Sequence, residues 1–175
     1  MNVVLIGYRG SGKSAVGRTL ASRLGWPFVD TDALIEQREG LTIREIFADR
    51  AEDGFRDLEA RIIAEVGTLD RHVISTGGGA VLREENVAAL KRNGRLVWLT
   101  APPEVLWQRI LGDIRRQETR PRMDLSVGLQ QVREAIRERN PIYQRVADAI
   151  VDTTDRPVES IVERILTRTR LREDH

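Results

Sequence analysis

The stretch GYRGSGKS at residues 7–14 decides the fold of this chain of 175 residues. It follows a short apolar run, VVLI at residues 3–6, and it opens a stretch of helical periodicity over residues 13–24. This spacing and this strand–loop–helix context are those of the phosphate-binding loop G-x-x-x-x-G-K-[ST]. Its glycines let successive backbone N–H groups turn toward a phosphate, and the helix that follows adds the positive end of its dipole. The sequence therefore predicts a site for a nucleoside triphosphate at this loop.

Two side chains at the end of the loop carry separate predicted roles. Lys13 is expected to bridge the β- and γ-phosphates while charge moves between them, and the Ser14 hydroxyl is expected to be a ligand of Mg²⁺. The alternative is a chance glycine turn, which the strand before it and the helix after it disfavour. The motif indicates a nucleotide but does not say what receives the phosphoryl group.

Short apolar runs alternate with helical stretches along the chain. The runs lack polar alternation, as expected for strands that are covered on both faces in a parallel sheet. The predicted strands lie at residues 3–6, 27–29, 72–75, 96–99 and 149–151. The alternation predicts one α/β domain over residues 1–175, with five parallel strands, right-handed connections and ligands at the carboxyl edge of the sheet.

The helices are predicted from apolar spacing and from capping signals. Thr42 and Glu45 form a capping-box pattern that opens a short helix through Phe47. The run Glu138-Arg139-Asn140-Pro141 is predicted to end one helix and to start another. The other predicted helices cover residues 13–24, 33–38, 52–68 and 84–92, with further ones around 105–110, from about 126 onward, and around 161–166.

The composition excludes several classes of function. The chain has no cysteine, which excludes a disulfide scaffold, thiolate catalysis and a cysteine zinc site. Its net charge is +1, so it has no overall field that would attract nucleic acid or an acidic membrane, and any anion site must be local. No apolar run approaches about 20 residues. We therefore expect a cytoplasmic protein with no nucleic-acid or membrane partner. As a separate expectation, its partners are small molecules and it is a monomer.

Two acids follow the second predicted strand, in the run Asp30-Thr31-Asp32. Asp30 is expected to hold a Mg²⁺-bound water. Asp32 is expected to face the phosphoryl acceptor and to take a hydrogen bond from its hydroxyl group. The alternative is structural, with Asp32 as the N-cap of the helix over residues 33–38.

Two further features indicate an acceptor pocket. Arg56 and Glu59 lie at the start of a helix and are predicted to form an anion clamp, in which the carboxylate holds the guanidinium; a surface i,i+3 ion pair is the alternative. Three glycines, Gly77, Gly78 and Gly79, follow the third strand directly. A plain turn needs only one or two glycines, so we expect a substrate hydroxyl or carboxylate to approach this backbone closely.

Further arginines are placed to bind anions. Arg139 is a second candidate for a substrate carboxylate, and Arg156, after the last strand, is expected to pack on an adenine ring. The stretch over residues 109–122 holds five arginines and is predicted to be a lid that supplies Arg120 to the transition state. A solvated basic loop or an RNA-binding patch is the alternative, although no aromatic residue lies among these arginines to stack on a base.

Taken together, these motifs resemble those of shikimate kinases. GYRGSGKS, FVDTD, FRDLE, STGGGAV, TRPRM and ERNPIY occur in the order and spacing of that family, over roughly residues 2–165. The resemblance implies ATP-dependent phosphorylation of the 3-hydroxyl of shikimate in aromatic amino-acid biosynthesis. It also implies a P-loop NTPase of the nucleoside-monophosphate-kinase-like, three-layer type with strand order 2-3-1-4-5. Substrate-binding helices would cover about residues 32–65, and a lid about 112–124.

The resemblance also assigns roles by position. Asp32 would hold shikimate hydroxyls and act as the base, Arg56 and Arg139 would bind the carboxylate, and Gly78 would contact a ring hydroxyl. The remaining roles are those of the nucleotide site: the phosphates would contact Gly10, Ser11, Gly12, Lys13, Ser14 and Ala15, with Ser14 on Mg²⁺, Arg120 reaching from the lid and Arg156 at the adenine.

The chain departs from the family pattern at two places. The lid reads Arg120-Pro121-Arg122-Met123, where the family usually has two leucines after the proline. Asp113 stands about seven residues before Arg120, where the family often has an adenine-side arginine. Three nearby arginines are the alternatives for that role, namely Arg109, Arg115 and Arg116.

Three other functions compete with this interpretation. Gluconate kinases share the glycine loop but lack the FR-x-x-E and GGG motifs as they are placed here. A GTP-dependent switch would need an N-K-x-D run, which the chain does not contain. An RNA-binding protein that used the arginines over residues 109–122 would bind with a steep salt dependence.

Overall fold

The structure is a computed structural model that describes residues 1–116 and 125–171. Its described part contains one sheet of five parallel strands in the order β2-β3-β1-β4-β5, which confirms the expected order. The strands are β1 (Asn2–Ile6), β2 (Phe28–Asp30), β3 (Val73–Ser75), β4 (Gly94–Thr100) and β5 (Ala149–Asp152).

Helices cover both faces of this sheet. They are α1 (Lys13–Leu24), α2 (Thr31–Glu39), α3 (Ile43–Val66), α4 (Glu84–Lys91), α5 (Pro103–Arg116), α6 (Leu125–Val146) and α7 (Val158–Thr169), with a 3₁₀ turn over Ala80–Leu82. Among the described residues, no helix is both long enough and apolar enough to cross a membrane.

The central strand β1 shows why the strands lack polar alternation. Val4 and Ile6 pack into the core beneath α3, α4 and α6, whereas Val3 and Leu5 pack on the opposite side, against α1 and α7. All four side chains are fully buried. Successive side chains of a strand point to opposite faces, so a strand with helices on both sides must be apolar at every position. The result is the predicted three-layer arrangement of helices, sheet and helices.

A third apolar cluster lies beyond the end of the sheet, between α5 and α6, and includes Trp107 and Ile136. Tyr8 of the glycine loop packs against this cluster. Gly10 has φ +83°, and a Cβ atom there would lie 2.9 Å from the carbonyl oxygen of Leu106. Only glycine fits this close contact between the loop and α5.

The capping of α2 differs from the sequence prediction. The helix begins at Thr31, and its N-cap is Asp30, whose Oδ1 accepts a hydrogen bond of 3.1 Å from the Ala33 N–H. The alternative in which Asp32 caps the helix is therefore wrong, because Asp32 already lies in the first turn. Its carboxylate is left available to the site.

The predicted break near residue 141 is also wrong, since α6 continues through Pro141 to Val146. Pro141 is exposed, whereas Tyr143 and Val146 beyond it are buried in the main core. Burial of these two side chains offsets the backbone hydrogen bond that proline removes from a helix. In α3 the prediction of two helices agrees with the structure: the capping box of Thr42 and Glu45 is present, and Ala51 has non-helical angles that divide the helix just before residue 52.

Candidate active site

An open cavity of about 590 Å³ lies at the carboxyl edge of the sheet, where the loops after β1, β2 and β3 meet α3 and α6. Almost all of the described residues that the sequence assigns to substrates line it. The lining residues are Tyr8, Arg9, Gly10, Gly12, Lys13, Ser14, Ala15, Asp30, Asp32, Ile43, Phe47, Phe55, Arg56, Glu59, Ser75, Thr76, Gly77, Gly78, Gly79, Asp113 and Arg139.

The glycine loop supplies one wall of the cavity. Lys13 folds back over the loop, and its Nζ donates hydrogen bonds to the carbonyl oxygens of Gly7 at 2.6 Å and Tyr8 at 3.1 Å. Burial lowers the pKa of Lys13 to about 8, although the carboxylates of Asp32 and Asp30 act in the opposite direction. Ser11 does not line the cavity; its buried Oγ has no hydrogen-bond partner among the described residues.

Ser14 and Asp30 come together as the sequence predicts. The Ser14 hydroxyl donates a hydrogen bond of 2.9 Å to Asp30 Oδ2, so the two oxygens lie side by side at the start of α1 and the end of β2. The same carboxylate caps α2 through its other oxygen. Asp30 is thereby fixed from two sides.

Asp32 lies two residues further on, in the first turn of α2. Burial raises its pKa to about 6, and the neighbouring carboxylates of Glu59 and Asp30 add to this effect, while Lys13 and Arg56 oppose it. Its Oδ1 is buried without a hydrogen-bond partner in the described part of the chain. An unpartnered, weakly acidic carboxylate in a cavity is suited to accept a hydrogen bond or a proton from a ligand.

The ion pair between Arg56 and Glu59 belongs to this cavity and not to the surface. Arg56 Nη1 donates to Glu59 Oε1 at 2.8 Å, and the two side chains are 12% and 0% exposed. The surface alternative is therefore wrong. Burial raises the pKa of Glu59, and the Arg56 guanidinium partly offsets the rise.

Each glycine of the triplet lies beneath a charged side chain. A Cβ atom on Gly77 would lie 2.8 Å from Asp32 Oδ1, and one on Gly79 would overlap the Arg56 guanidinium. A Cβ on Gly78 would lie 3.2 Å from Nη1 of Arg139. The close approach to this backbone that the sequence predicts is thus made by the protein's own charged side chains. The three glycines allow these charges to lie around one small volume.

Arg139 enters the cavity from α6. Its guanidinium carbon lies 5.5 Å from the centre of the Tyr8 ring, over its face. The flat guanidinium is therefore held between an aromatic ring of the glycine loop and the backbone of Gly78.

The arginines that the sequence assigns to the nucleotide lie in different places. Arg109 donates to Thr153 Oγ1 and to the Thr153 carbonyl, both at 2.9 Å, and to the Gly10 carbonyl at 3.3 Å. Arg156 is exposed and is not among the residues that line the cavity. Arg120 lies outside the described residues, as do residues 117–124 of the predicted lid.

Sequence reasoning missed the apolar side of the cavity. Phe47 and Phe55 stack with ring centroids 4.6 Å apart, and Ile43 lies one helical turn before Phe47. The i,i+4 spacing of Ile43 and Phe47 was a usable signal, because it puts both side chains on one face of a helix. These groups give an acceptor with a carbon ring an apolar surface beside the charged groups.

The phosphate-binding loop, the sheet order and the carboxylate facing Lys13 define a P-loop kinase of the nucleoside-monophosphate-kinase-like type. The family model for shikimate kinase matches residues 9–170. This chain belongs to the shikimate kinase family, whose members phosphorylate shikimate with ATP in the biosynthesis of aromatic amino acids.

Individual relatives agree with this assignment. A shikimate kinase of Symbiobacterium thermophilum is 44% identical over 172 residues, which cover 98% of this chain and 98% of the relative. A solved structure of shikimate kinase from Acinetobacter baumannii in complex with shikimate has a TM-score of 0.87 at 34% identity, covering 98% of this chain and 95% of that one.

This chain resembles gluconate kinases in fold alone. A gluconokinase from Sinorhizobium meliloti 1021 has a TM-score of 0.61 at 24% identity, covering 97% of this chain and 92% of that one. The sequence interpretation as a shikimate kinase is confirmed by the family match.

Proposed function

We propose that this chain transfers the γ-phosphoryl group of ATP to the 3-hydroxyl of shikimate, with the residues described above in defined roles. One observation carries the proposal. The carboxylate of Asp32 and the guanidinium groups of Arg56 and Arg139 line the same cavity as Lys13 of the phosphate loop. An acidic alcohol and a triphosphate therefore have adjoining sites.

The acceptor is bound by charge and by shape. Arg56 and Arg139 bind the carboxylate of shikimate, because two forked guanidinium groups give it direction as well as charge. The N–H groups of the triplet Gly77, Gly78 and Gly79 contact ring hydroxyls. With its pKa raised to about 6, Asp32 is ionised at neutral pH and is still basic enough to take the proton of the 3-hydroxyl.

The nucleotide is bound by the glycine loop. The backbone N–H groups of Gly10, Ser11, Gly12 and Ala15 surround the phosphates, and Lys13 leaves its carbonyl partners to follow the charge that moves toward the β-phosphate. The hydroxyl oxygen of shikimate forms a bond to the γ-phosphorus while the bond from that phosphorus to the β–γ bridging oxygen breaks. The proton passes to Asp32, and ADP leaves.

The residues present also fit Mg²⁺. The hydroxyl of Ser14 and the carboxylate of Asp30 lie 2.9 Å apart at the foot of the loop and are the oxygen ligands that this ion prefers. A site with one or two protein oxygens, completed by phosphates and water, is usual for it. Mg²⁺ would neutralise phosphate charge there. We propose that Ser14 binds the ion directly and that Asp30 orients a water on it.

For the adenine side we propose Arg109 among the three alternatives. Its bonds to Gly10 and Thr153 place it between the phosphate loop and the loop after β5. Arg156, on that same loop, is proposed to contact the adenine. Arg120 is proposed to contact the phosphates.

The wider organisation is proposed from the same considerations. The chain would be one domain over residues 1–175, with acceptor-binding helices at about 32–65 and a lid at about 112–124 that excludes water. We place the reaction in the cytoplasm, where ATP and biosynthetic intermediates occur, and we propose a monomer. Light scattering that gives a mass near 19.8 kDa would support the monomer, and twice that mass would contradict it.

A coupled assay of ADP release tests the proposed function. The purified protein with ATP and Mg²⁺ should release ADP when shikimate is added and not when gluconate is added. In Arg139→Lys the KM for shikimate should rise roughly 10- to 100-fold, because a hydrogen-bonded charged fork is lost while the charge is kept.

The same change at Arg137, which is exposed on the same helix, is the matched control and should leave both KM values unchanged. The absence of turnover with shikimate would contradict the proposed function. Unchanged shikimate kinetics in Arg139→Lys would contradict the role of Arg139 alone.

A further inference from the structure

Tyr143 lies in the core, yet its hydroxyl group reaches the glycine triplet. The residue is 1% exposed, and its ring centroid lies 5.6 Å from that of Trp98. Its hydroxyl donates a hydrogen bond to the carbonyl oxygen of Gly78, which is 65 residues earlier in the chain. A phenylalanine would fill the same space in the core, so packing does not account for the hydroxyl.

The carbonyl groups of the triplet have two different kinds of partner. The Gly77 carbonyl accepts from the Ala80 N–H at 3.1 Å, and the Gly79 carbonyl accepts from the Leu82 N–H at 3.1 Å. Both bonds are local turns of the backbone. The carbonyl of Gly78, between them, is bound by the side chain of Tyr143. The one peptide that the local turns leave free is therefore held from a distant helix.

This peptide is the one that most needs to be held. Three successive glycines have more backbone freedom than any other sequence of this length, so the Gly78–Gly79 peptide can rotate unless something fixes it. In a planar trans peptide the N–H points opposite to the C=O. With the Gly78 carbonyl directed to Tyr143 in the core, the Gly79 N–H is directed away from the core.

The same helix contacts Gly78 a second time. Arg139 precedes Tyr143 by one turn of α6, and its guanidinium covers the position where Gly78 lacks a Cβ atom. One rigid element thus sets both the direction of a backbone N–H and the position of a guanidinium group.

We propose that Tyr143 is a positioning residue for the phosphoryl acceptor, because its hydroxyl fixes the Gly78–Gly79 peptide relative to Arg139. The inference rests on the proposed function, in which shikimate contacts both groups. Burial raises the pKa of Tyr143 to about 12, so the hydroxyl remains a donor throughout the pH range in which the enzyme is assayed.

The variant Tyr143→Phe tests this proposal, since it keeps the ring and removes the hydroxyl. Loss of the hydroxyl should raise the KM for shikimate about 3- to 10-fold and leave the KM for ATP unchanged. Hydrogen exchange of the ligand-free protein, followed by mass spectrometry, should become faster in the peptide that contains residues 77–82, because the N–H groups of Ala80 and Leu82 donate to the carbonyls of the triplet. It should not change elsewhere.

Thr169→Val is the matched control. It removes another buried hydroxyl that donates to a backbone carbonyl, that of Ile165 at 2.7 Å, at the end of α7. It should lower the melting temperature without changing either KM. An equal rise of both KM values in Tyr143→Phe, or unchanged shikimate kinetics, would overturn the proposal.

Two further outcomes are also decisive. A Tyr143→Phe protein that does not fold would overturn the proposal, because the hydroxyl would then hold the core and not the acceptor site. If the wild-type protein did not phosphorylate shikimate, the proposed function would fail. The hydrogen exchange of residues 77–82 would still show whether Tyr143 fixes this backbone.

Discussion

The carboxylates of Asp30, Asp32 and Glu59 line one cavity, and Asp32 is the one whose proton equilibrium is most informative. Its pKa is raised by burial and by the charges of Glu59 and Asp30 to about 6, above the value of about 3.9 that is usual for an unfolded chain. The folded protein therefore binds this proton more tightly than the unfolded chain does. The resulting stability is fully present below about pH 4 and is lost as the pH rises through about 6. At neutral pH the ionised Asp32 weakens the fold.

The variant Asp32→Asn should not lose stability in this way as the pH rises. Between pH 4 and pH 7.5, the free energy of unfolding of the wild-type protein should fall relative to that of Asp32→Asn by roughly 1–3 kcal/mol. Urea unfolding at the two pH values measures the difference. Asp53→Asn, at an exposed position of α3, is the control and should follow the wild-type protein. Parallel pH dependences of Asp32→Asn and wild type would contradict the assignment of the shift to Asp32.

At the scale of elements, the break in α3 separates two helical parts that bring different side chains to the cavity. The first part carries Ile43 and Phe47 to the cavity, and the second carries Arg56 and Glu59. Between them, Ala51 has φ 57° and ψ −175°, a conformation that is nearly confined to glycine. The chain accepts local strain at this position, and both parts reach the cavity.

Replacing the strained residue should therefore stabilise the protein. Ala51→Gly should raise the free energy of unfolding by about 1 kcal/mol, since the strain it relieves exceeds the backbone entropy that glycine costs. Ala48→Gly, at an exposed helical position three residues earlier, is the matched control and should lower it by up to about 1 kcal/mol. Thermal or urea unfolding compares the two, and equal losses in both variants would show that Ala51 is not strained in solution.

The elements also show where sequence reasoning succeeds and where it does not. The five strands, α1 over residues 13–24 and the capping box before α3 follow from local patterns, because each depends on residues that are close in sequence. The cap of α2 was misassigned between Asp30 and Asp32, since the pattern D-T-D offers two equivalent acceptors. The continuation of α6 through Pro141 depends on burial of Tyr143, which no local pattern shows.

The site residues also divide into those that a local pattern places and those that only the folded chain brings together. Lys13 and Ser14 could be grouped from the sequence because a strand–loop–helix motif fixes their relative positions, and Asp30 because it ends a predicted strand at the same edge of the sheet. The groups that cover the glycine triplet come from α2, α3 and α6, and only the folded chain brings them together. Among these, the sequence suggested that Arg56 and Arg139 bind anions, but it did not show that they lie against Gly79 and Gly78.

At the scale of the whole molecule, a junction joins four elements on the nucleotide side. Arg109 of α5 binds both Thr153, after β5, and the Gly10 carbonyl of the phosphate loop. Thr153 is buried and bonds in turn to the Thr100 carbonyl at the end of β4, through its N–H at 2.9 Å and its hydroxyl at 3.2 Å. One arginine and one threonine therefore join the phosphate loop to the loop after β5, the two loops that flank the nucleotide in the proposed function.

If the two residues act as a unit, their substitutions should not be additive. Arg109→Lys and Thr153→Val should each raise the KM for ATP about 3- to 10-fold, and the double variant should be little worse than either, with the KM for shikimate unchanged in all three. Arg133→Lys changes an exposed ion pair with Glu104, which joins α6 to α5, and should have no effect. Additive losses would show that Arg109 acts on the nucleotide independently of Thr153.

The glycine triplet gives this enzyme an unusual mutational vulnerability. A Cβ atom on Gly77 or Gly79 would lie less than 3 Å from a charged group of α2 or α3, and one on Gly78 would lie 3.2 Å from a charged group of α6. A methyl group gained by a DNA change in this codon run would crowd a charged partner that is encoded far away in the gene, so a compensating change would have to arise at a distant codon. Resistance to an inhibitor that rests on this strip of backbone would therefore be difficult to evolve without loss of the enzyme itself.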